Sequence, residues 1–257
     1  MFDLEAFDIK LNTEYIGRNF IYSDEIDSTN SFLLNKGNKS NNNGTVILAE
    51  KQNKGKGRKD RVWYSAKGQN LTFSILLTDK NLLKDKYNII NFAASLSVSQ
   101  AIENLFQLKT ELKWPNDVLV NGKKIAGILL DASSSGNKME RLVIGIGLNV
   151  NQALFQGTFN IELNSIKVEL NQSVERERML AEILNIFEEN LEQVEEHPGE
   201  ILKDWKLRCR MIGEKISITD DDNTKYGIFD DIDENGFLLL KNRNRIEKIH
   251  FGDVSLG

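Results

Sequence analysis

A chain of 257 residues can bury one substantial core and carry a small second unit. Its 40% hydrophobic and 28% charged content is ordinary for a globular protein, no apolar run approaches the roughly 20 residues of a membrane-crossing helix, and the acidic N-terminus lacks the apolar centre of a secretion signal. A net charge of −5 argues against nucleic acid as a partner, and one cysteine with two histidines excludes an internal disulfide or cysteine zinc cage and leaves little for a histidine metal site or serine–histidine triad, so the cytoplasm is the expected compartment.

In chain order, residues 20–26 alternate as a strand. Asp27, Ser28 and Thr29 then offer side-chain oxygens that cap a helix running through Phe32 and Leu34, with Gly37 as its stop. Residues 35–44 are polar and turn-rich, an exposed loop, and 45–49 is a strand. Six cations and one anion follow between Lys51 and Arg61. Such a cluster reads either as a solvated charge run or as an anion-binding loop, and the interleaved Gly55 and Gly57 favour the second. It is not a Walker loop, because no Gly-Lys-Ser/Thr follows.

Residues 71–78 form another strand, and 88–105 set Phe92, Leu96, Ser99, Ile102 and Leu105 at helical spacing. KWPND then gathers a cation, an aromatic plane and two oxygen ligands. Lys113 can meet a phosphate beside Trp114, and Asn116 with Asp117 can hold magnesium, although the same residues also read as a strand end with a proline turn. Asn121-Gly122 between apolar runs predicts a tight hairpin, placing Lys124 just beyond it and Gly127 where a partner can approach closely. Residues 141–151 are one more buried strand. A long acidic amphipathic helix is predicted over 175–196, then a short one carrying Trp205. The short strands 215–219, 225–232, 236–242 and 247–252 make a small antiparallel barrel. Dominant hairpins with packed helices give an α+β chain, divided into residues 1–208 and 209–257.

Read in order, DEIDSTN, QNKGKGRKDRVW, LKWPNDVLVNGKKIAGILLD and IGIGLNVN resemble the biotin–protein ligases, over about residues 21–151. The resemblance implies a class II aminoacyl-tRNA synthetase-like mixed sheet with helices and a small C-terminal SH3-like β-barrel. It implies an enzyme that forms biotinyl-AMP from biotin and ATP with Mg2+, then transfers biotin to a lysine of a biotin carboxyl carrier protein. Ser28, Thr29 and Asn30 then match the biotin ring contacts, and Gln52 opens the loop whose core is Gly55, Lys56, Gly57 and Arg58, with Arg61 beyond. Trp63 covers the adenylate, Lys124 approaches the biotin carboxylate and Asn149 lies near the adenine. Lys113, Trp114, Asn116 and Gly127 complete the ligand-facing set. Lys124, Arg58 and Asp117 carry the chemistry, and Asn116 and Asp117 the metal.

Two positions depart from the family pattern. Lys56 stands where arginine is more frequent, keeping charge but losing the bidentate fork, and Asp60 stands where a small residue is common. Residues 53–63 are expected to be mobile without ligand. Residues 1–19 are too few for a folded DNA-reading unit, so no repressor role is expected. A homodimer through sheet edges is compatible with the pattern. The competing readings are a lipoate or octanoate ligase or transferase of the same fold family, and a non-catalytic adenylate-binding protein.

Overall fold

The computed structural model describes residues 1–37, 42–84, 86–136, 138–157, 159–220, 223–243 and 245–256. The elements are α1 (Leu4–Lys10), β1 (Phe20–Ser23), α2 (Thr29–Leu34), β2 (Val46–Ala49), β3 (Leu71–Leu77), α3 (Tyr87–Phe106), β4 (Thr110–Lys113), β5 (Asp117–Val120), β6 (Lys123–Ser135) and β7 (Lys138–Leu148). They continue with α4 (Ile166–Leu170), α5 (Arg176–Glu196), α6 (Pro198–Arg208), β8 (Lys215–Asp220), β9 (Asn223–Ile232), β10 (Leu238–Asn242), β11 (Arg245–Ile249) and β12 (Asp253–Leu256).

Seven strands form one mixed sheet in the order β1-β2-β3-β7-β6-β5-β4, in which only β1 and β2 run parallel. Alternation along a strand gives this sheet two different faces. Phe73, Ile75 and Leu77 of β3 with Leu142, Ile144 and Ile146 of β7 point into the large core that α3, α5 and α6 cover. There Trp205 of α6 stacks on Phe92 of α3 at 4.4 Å and donates its Nε1–H to Ser95 Oγ at 3.2 Å. The opposite face is only partly covered. Ile47, Leu76 and Val143 meet Leu33 of α2 in a separate small cluster. Past that cluster the same face continues as Ser74 and Thr72 of β3 beside Gly145 and Gly147 of β7, an apolar sheet surface giving way to a polar, glycine-paved floor.

Local signals set most boundaries. Ser28 caps α2 by accepting the Ser31 N–H, and Asn121 and Gly122 take φ of 51° and 74° between Val120 and Lys123, the two positive values a type I′ hairpin turn needs. Several expectations change. Strand β1 stops at Ser23, and Ile26 pairs beyond it in an isolated bridge to Gln52. Helix α2 ends at Leu34 with Asn35 as C-cap, before Gly37. Strand β7 begins at Lys138, three residues before Arg141, because residues 138–141 pair with Ser133, Ser134 and Ser135 at the end of β6. Of the polar loop 35–44, residues 38–41 lie outside the described residues. Helices α1 and α4 and strands β4 and β12 are too short for periodicity to reveal.

The second sheet is antiparallel throughout, in the order β11-β10-β9-β8-β12. Its inward residues Ile216, Ile218, Phe229, Leu238, Leu240 and Val254 belong to the same continuous core as the large sheet. Trp114 joins the two: its indole is buried and donates to the Gly236 carbonyl in the β9–β10 turn at 3.4 Å. The strand β12, at one edge, brings Asp253 back to the open face of the large sheet.

Candidate functional site

The uncovered half of the large sheet is the floor of a cavity of about 470 Å³. Two cross-strand rows pave it: Thr72–Gly147–Gly127, and Gly145–Leu129, the second continuing to the wholly buried Ser74. The glycines are steric requirements. A Cβ at Gly145 would overlap the Asn30 amide, and one at Gly147 would overlap the Trp63 indole.

At one end stand Ser28, Thr29 and Asn30, all buried, at the N-terminus of α2. The Thr29 backbone N–H donates to Gln52 Oε1 at 2.7 Å, so loop and helix arrive as one unit. Asn30 is held by Ser74 and by Asp131, neither singled out by the sequence reading.

The basic segment is a β-hairpin. Lys56 bridges Val62, the Gly57 N–H donates to Arg61 O at 2.7 Å, and Lys59 and Asp60 take φ of 52° and 56° at its tip. The departure at Asp60 thereby has a local explanation: the position needs left-handed backbone, which glycine adopts freely and aspartate tolerates. Gly55 does not line the cavity. A Cβ there would run into the Trp63 carbonyl, so this glycine serves the hairpin's own crossing. Lys56, Gly57, Arg58, Arg61 and Trp63 do line it.

The hairpin lies on the C-terminal sheet. Arg58 donates to Asp253 Oδ1 at 3.2 Å and to the Gly252 carbonyl at 3.1 Å, Arg61 pairs with the same carboxylate, and Lys59 reaches Asp220 at 3.1 Å. Asp253 is the acceptor common to both arginines, and charged hydrogen bonds of this kind are worth roughly 1.5–3 kcal/mol. Asp253→Asn is therefore expected to speed tryptic cleavage after Arg58 or Arg61 by about 5–30-fold, the population change that one or two kcal/mol gives. Time-resolved digestion checks this, and an unchanged rate contradicts it.

Lys113 and Asp117 face each other in register across the β4–β5 turn, which contains the cis Trp114–Pro115 bond. Lys124 Nζ lies 2.5 Å from Asp117 Oδ1 and 5.7 Å from the centre of the Trp63 ring. Burial, reinforced by Lys124 and Arg61, pulls the Lys113 amine below its ordinary range while Asp117 opposes the shift. Burial acts on Arg58 in the same direction, again against Asp117. Asn116 is fixed to β6 through its Nδ2–H to Ile128 O at 2.5 Å, and its Oδ1 accepts from Arg58 at 3.4 Å. Trp114 touches the cavity wall, but its indole belongs to the joint between the sheets. Asn149, buried at the far end, donates to Asn164 O at 3.0 Å.

A further wall escaped the sequence reading. Phe159, Ile161 and Leu163 line the cavity, with Leu163 bridged in parallel to Lys124 and the Lys124 N–H donating to Glu162 O at 2.8 Å. The alternation in FNIEL was the available signal.

Five cations and two carboxylates line this cavity, a local excess of +3 in a chain of net charge −5. Trp63 and Thr72, both on its wall, keep Nε1 and Oγ1 buried without a protein hydrogen-bond partner. The arrangement suits an elongated ligand: polar and uncharged at the Asn30 end, strongly anionic between Lys124, Lys113 and Arg58. Among the described residues no group of three histidine, cysteine or carboxylate side chains is placed to hold a metal. Asp117 and Asn116, whose side-chain oxygens now meet Lys124 and Arg58, are the residues that would hold a magnesium ion, and it would supply further positive charge for phosphates there.

Known proteins share this architecture. A model of the Biotin/lipoate A/B protein ligase family matches residues 22–149, and one of the Biotin protein ligase C terminal domain matches residues 211–257. The bifunctional ligase/repressor BirA of Bacillus subtilis is 34% identical over 96% of this chain and 77% of its own length. The biotin–[acetyl-CoA-carboxylase] ligase of Paracoccus denitrificans is 29% identical over 82% of this chain and 90% of its own. The solved biotin protein ligase of Aquifex aeolicus in complex with biotin and ATP superposes with a TM-score of 0.81 at 29% identity, covering 93% of this chain and 99% of that one.

Proposed function

This chain belongs to the Biotin/lipoate A/B protein ligase family, and from that premise we propose that it is an ATP-dependent biotin–protein ligase. The observation that carries the reading is the polarity of one cavity, hydroxyl and amide groups at the Asn30 end and concentrated positive charge at the Lys124 end. Biotin has the same polarity: a neutral urea at one end and a carboxylate at the other. The catalytic unit is taken as residues 1–208 and the terminal sheet as 209–257.

In the first step a biotin carboxylate oxygen attacks the α-phosphorus of ATP. The new C(O)–O–P link forms, the bond to the β-phosphate oxygen breaks, and pyrophosphate leaves with the electron pair. Both reactants are anions, so the step needs cations held in place before they meet. Lys124 and Lys113 supply them beneath the carboxylate and α-phosphate, and Arg58 and Arg61 supply them from the hairpin. Magnesium, when bound through Asp117 and Asn116, contributes further neutralisation of the phosphates. In the second step a neutral carrier lysine amine attacks the acyl carbon. The amide forms, the acyl–phosphate bond breaks, AMP leaves, and the surplus proton passes to solvent or to Asp117. The Trp63 hairpin keeps water from the anhydride meanwhile.

Arg58 and Arg61 exchange Asp253 for phosphate when the nucleotide arrives, so cleavage within residues 53–63 is expected to slow by about tenfold with biotin and ATP together, roughly the effect of a 1.4 kcal/mol gain in order. Equal rates with and without both ligands contradict the closing role. A carboxylase carrier domain is the proposed acceptor and the cytoplasm the proposed location, with a homodimer through sheet edges left as part of the proposal. Incubation with biotin, ATP, Mg2+ and such a carrier domain tests the whole reaction. One biotin on one carrier lysine is expected, and biotin-dependent pyrophosphate release without carrier labelling would overturn the acceptor assignment.

A further inference from the structure

An asparagine amide can stand two ways round with almost the same shape, but the two ways present opposite hydrogen-bonding character. Asn30, 4% exposed, has that choice made for it by its neighbours. Its Nδ2 lies 2.9 Å from Asp131 Oδ2 and 3.3 Å from the Leu129 carbonyl, two groups that only accept. Its Oδ1 lies 2.6 Å from Ser74 Oγ. Turned round, the amide would set its oxygen against a carboxylate and a carbonyl and lose a charge-assisted bond.

Proton accounting extends the chain. Ser74 Oγ, wholly buried, is also 2.7 Å from Thr29 Oγ1, and a hydroxyl has one proton to give. Asn30 Oδ1 cannot donate, so Ser74 donates to it, while the Thr29 hydroxyl donates to Gln52 Oε1 at 3.0 Å. Gln52 Oε1 also accepts the Thr29 backbone N–H at 2.7 Å. The result is a directed row, Ser74 to Asn30 to Asp131, that holds the amide one way round. It leaves the second lone pair of Asn30 Oδ1, lying over Gly145, to accept a ligand N–H. Ser28 Oγ accepts from the Ser31 N–H at 3.4 Å and keeps its own proton to donate to a ligand carbonyl. A urea offers both complements, whereas a dithiolane ring or an alkyl chain offers neither.

We propose that Asp131 and Ser74 are positioning residues that fix the orientation of the Asn30 amide and so make the pocket selective for a urea-bearing head. The proposal rests on the reading that Asn30 meets the ureido group of biotin. Asp131 is not part of the cavity lining, and it reaches the cavity through its bond to Asn30.

The test compares wild type with Asp131→Asn, Asp131→Glu and Ser74→Ala in pyrophosphate release, using biotin, desthiobiotin (which keeps the urea) and lipoate (which lacks it). An asparagine at 131 can donate as well as accept, so the Asn30 amide is no longer held one way. Asp131→Asn and Ser74→Ala are expected to raise KM for biotin and desthiobiotin about tenfold, while KM for ATP and kcat change by less than about twofold. Asp131→Glu, which keeps an accepting carboxylate, is expected to recover most of the loss, and the preference over lipoate is expected to fall in the two disrupting variants alone. Unchanged biotin KM in Asp131→Asn overturns the proposal. So does an equal rise in the biotin and ATP constants with a lowered melting temperature, which is what a merely structural residue would give. A wild type that adenylates lipoate and not biotin overturns the underlying reading and this proposal with it.

Discussion

Replacing Lys124 by methionine is expected to lower kcat/KM for biotinyl-AMP formation by about 10³-fold, the scale of roughly 4 kcal/mol that a preorganised charge supplies where a transition state gathers charge. Lys124 lies over the Gly127 floor of the cavity, with Asp117 at 2.5 Å and the Trp63 ring beside it. Its backbone role is separate from its side chain: the Lys124 N–H and carbonyl hold residues 162–164 in place whatever stands beyond Cα. Methionine keeps length and apolar stem and removes only the charge, leaving Asp117 without this partner. Some stability is lost in consequence, about 1–3 kcal/mol, and a melting curve measures that separately. Single-turnover pyrophosphate release measures the chemistry. A loss below about tenfold in a folded variant would remove Lys124 from the centre of the mechanism, because so small an effect, near 1.4 kcal/mol, is within reach of a peripheral charge.

The largest expected loss of stability lies elsewhere. Glu50, at the end of β2 where the basic hairpin begins, is buried with Arg176, the first residue of α5. The pair is bidentate, at 2.6 and 2.9 Å, and Tyr22 donates to the same carboxylate at 2.9 Å. Arg176 also donates to the Asn70 carbonyl, and the Asn70 side chain accepts the Val150 N–H next to Asn149. One buried pair therefore ties the stem of the hairpin to the strand end that carries the far wall of the site. Glu50→Ala strands a buried guanidinium, at a cost of about 3–5 kcal/mol. For a chain of this size that corresponds to a fall of roughly 10 °C in melting temperature. The double variant Glu50→Leu with Arg176→Leu is expected to lose less than either single variant, since no charge is left unpaired. A double variant that loses the sum of the two would contradict the pairing argument. Burial alone would raise the Glu50 pKa, but Arg176 and Tyr22 outweigh it and hold the carboxyl below the ordinary glutamate range. The pair's contribution is accordingly present above that ordinary range and is lost as pH falls through the lowered value.

What could be read from the chain beforehand was whatever depends on near neighbours. The hairpin at Asn121-Gly122 needs only two residues that tolerate positive φ, the cap at Ser28 needs one hydroxyl three residues before its N–H, and α5 declares itself by periodicity along its whole length, whereas α3, buried on nearly every side, shows periodicity only weakly. The four motifs led to the cavity because each is contiguous. What stayed hidden depends on pairs far apart in sequence: Asp253 with Arg58, separated by 195 residues, and Glu50 with Arg176, separated by 126. No local pattern marks such partners. Ser74 was visible as a serine inside the apolar run LTFSILL, and its complete burial is the reason that polarity matters. Two motif residues also have packing roles that the motifs do not announce. Gly55 serves the hairpin crossing, and Trp114, while touching the cavity wall, joins the two sheets. A contiguous motif fixes which segment arrives at a site, while tertiary packing decides which of its side chains turn inward.

The most direct test of the account is mass spectrometry of the protein after incubation with ATP, Mg2+ and either biotin or lipoate. The cavity's ureido-matched end and cationic end together predict a retained adenylate formed from biotin and none from lipoate. An adenylate from lipoate alone, or from neither acid, would contradict the central claim that this cavity activates biotin.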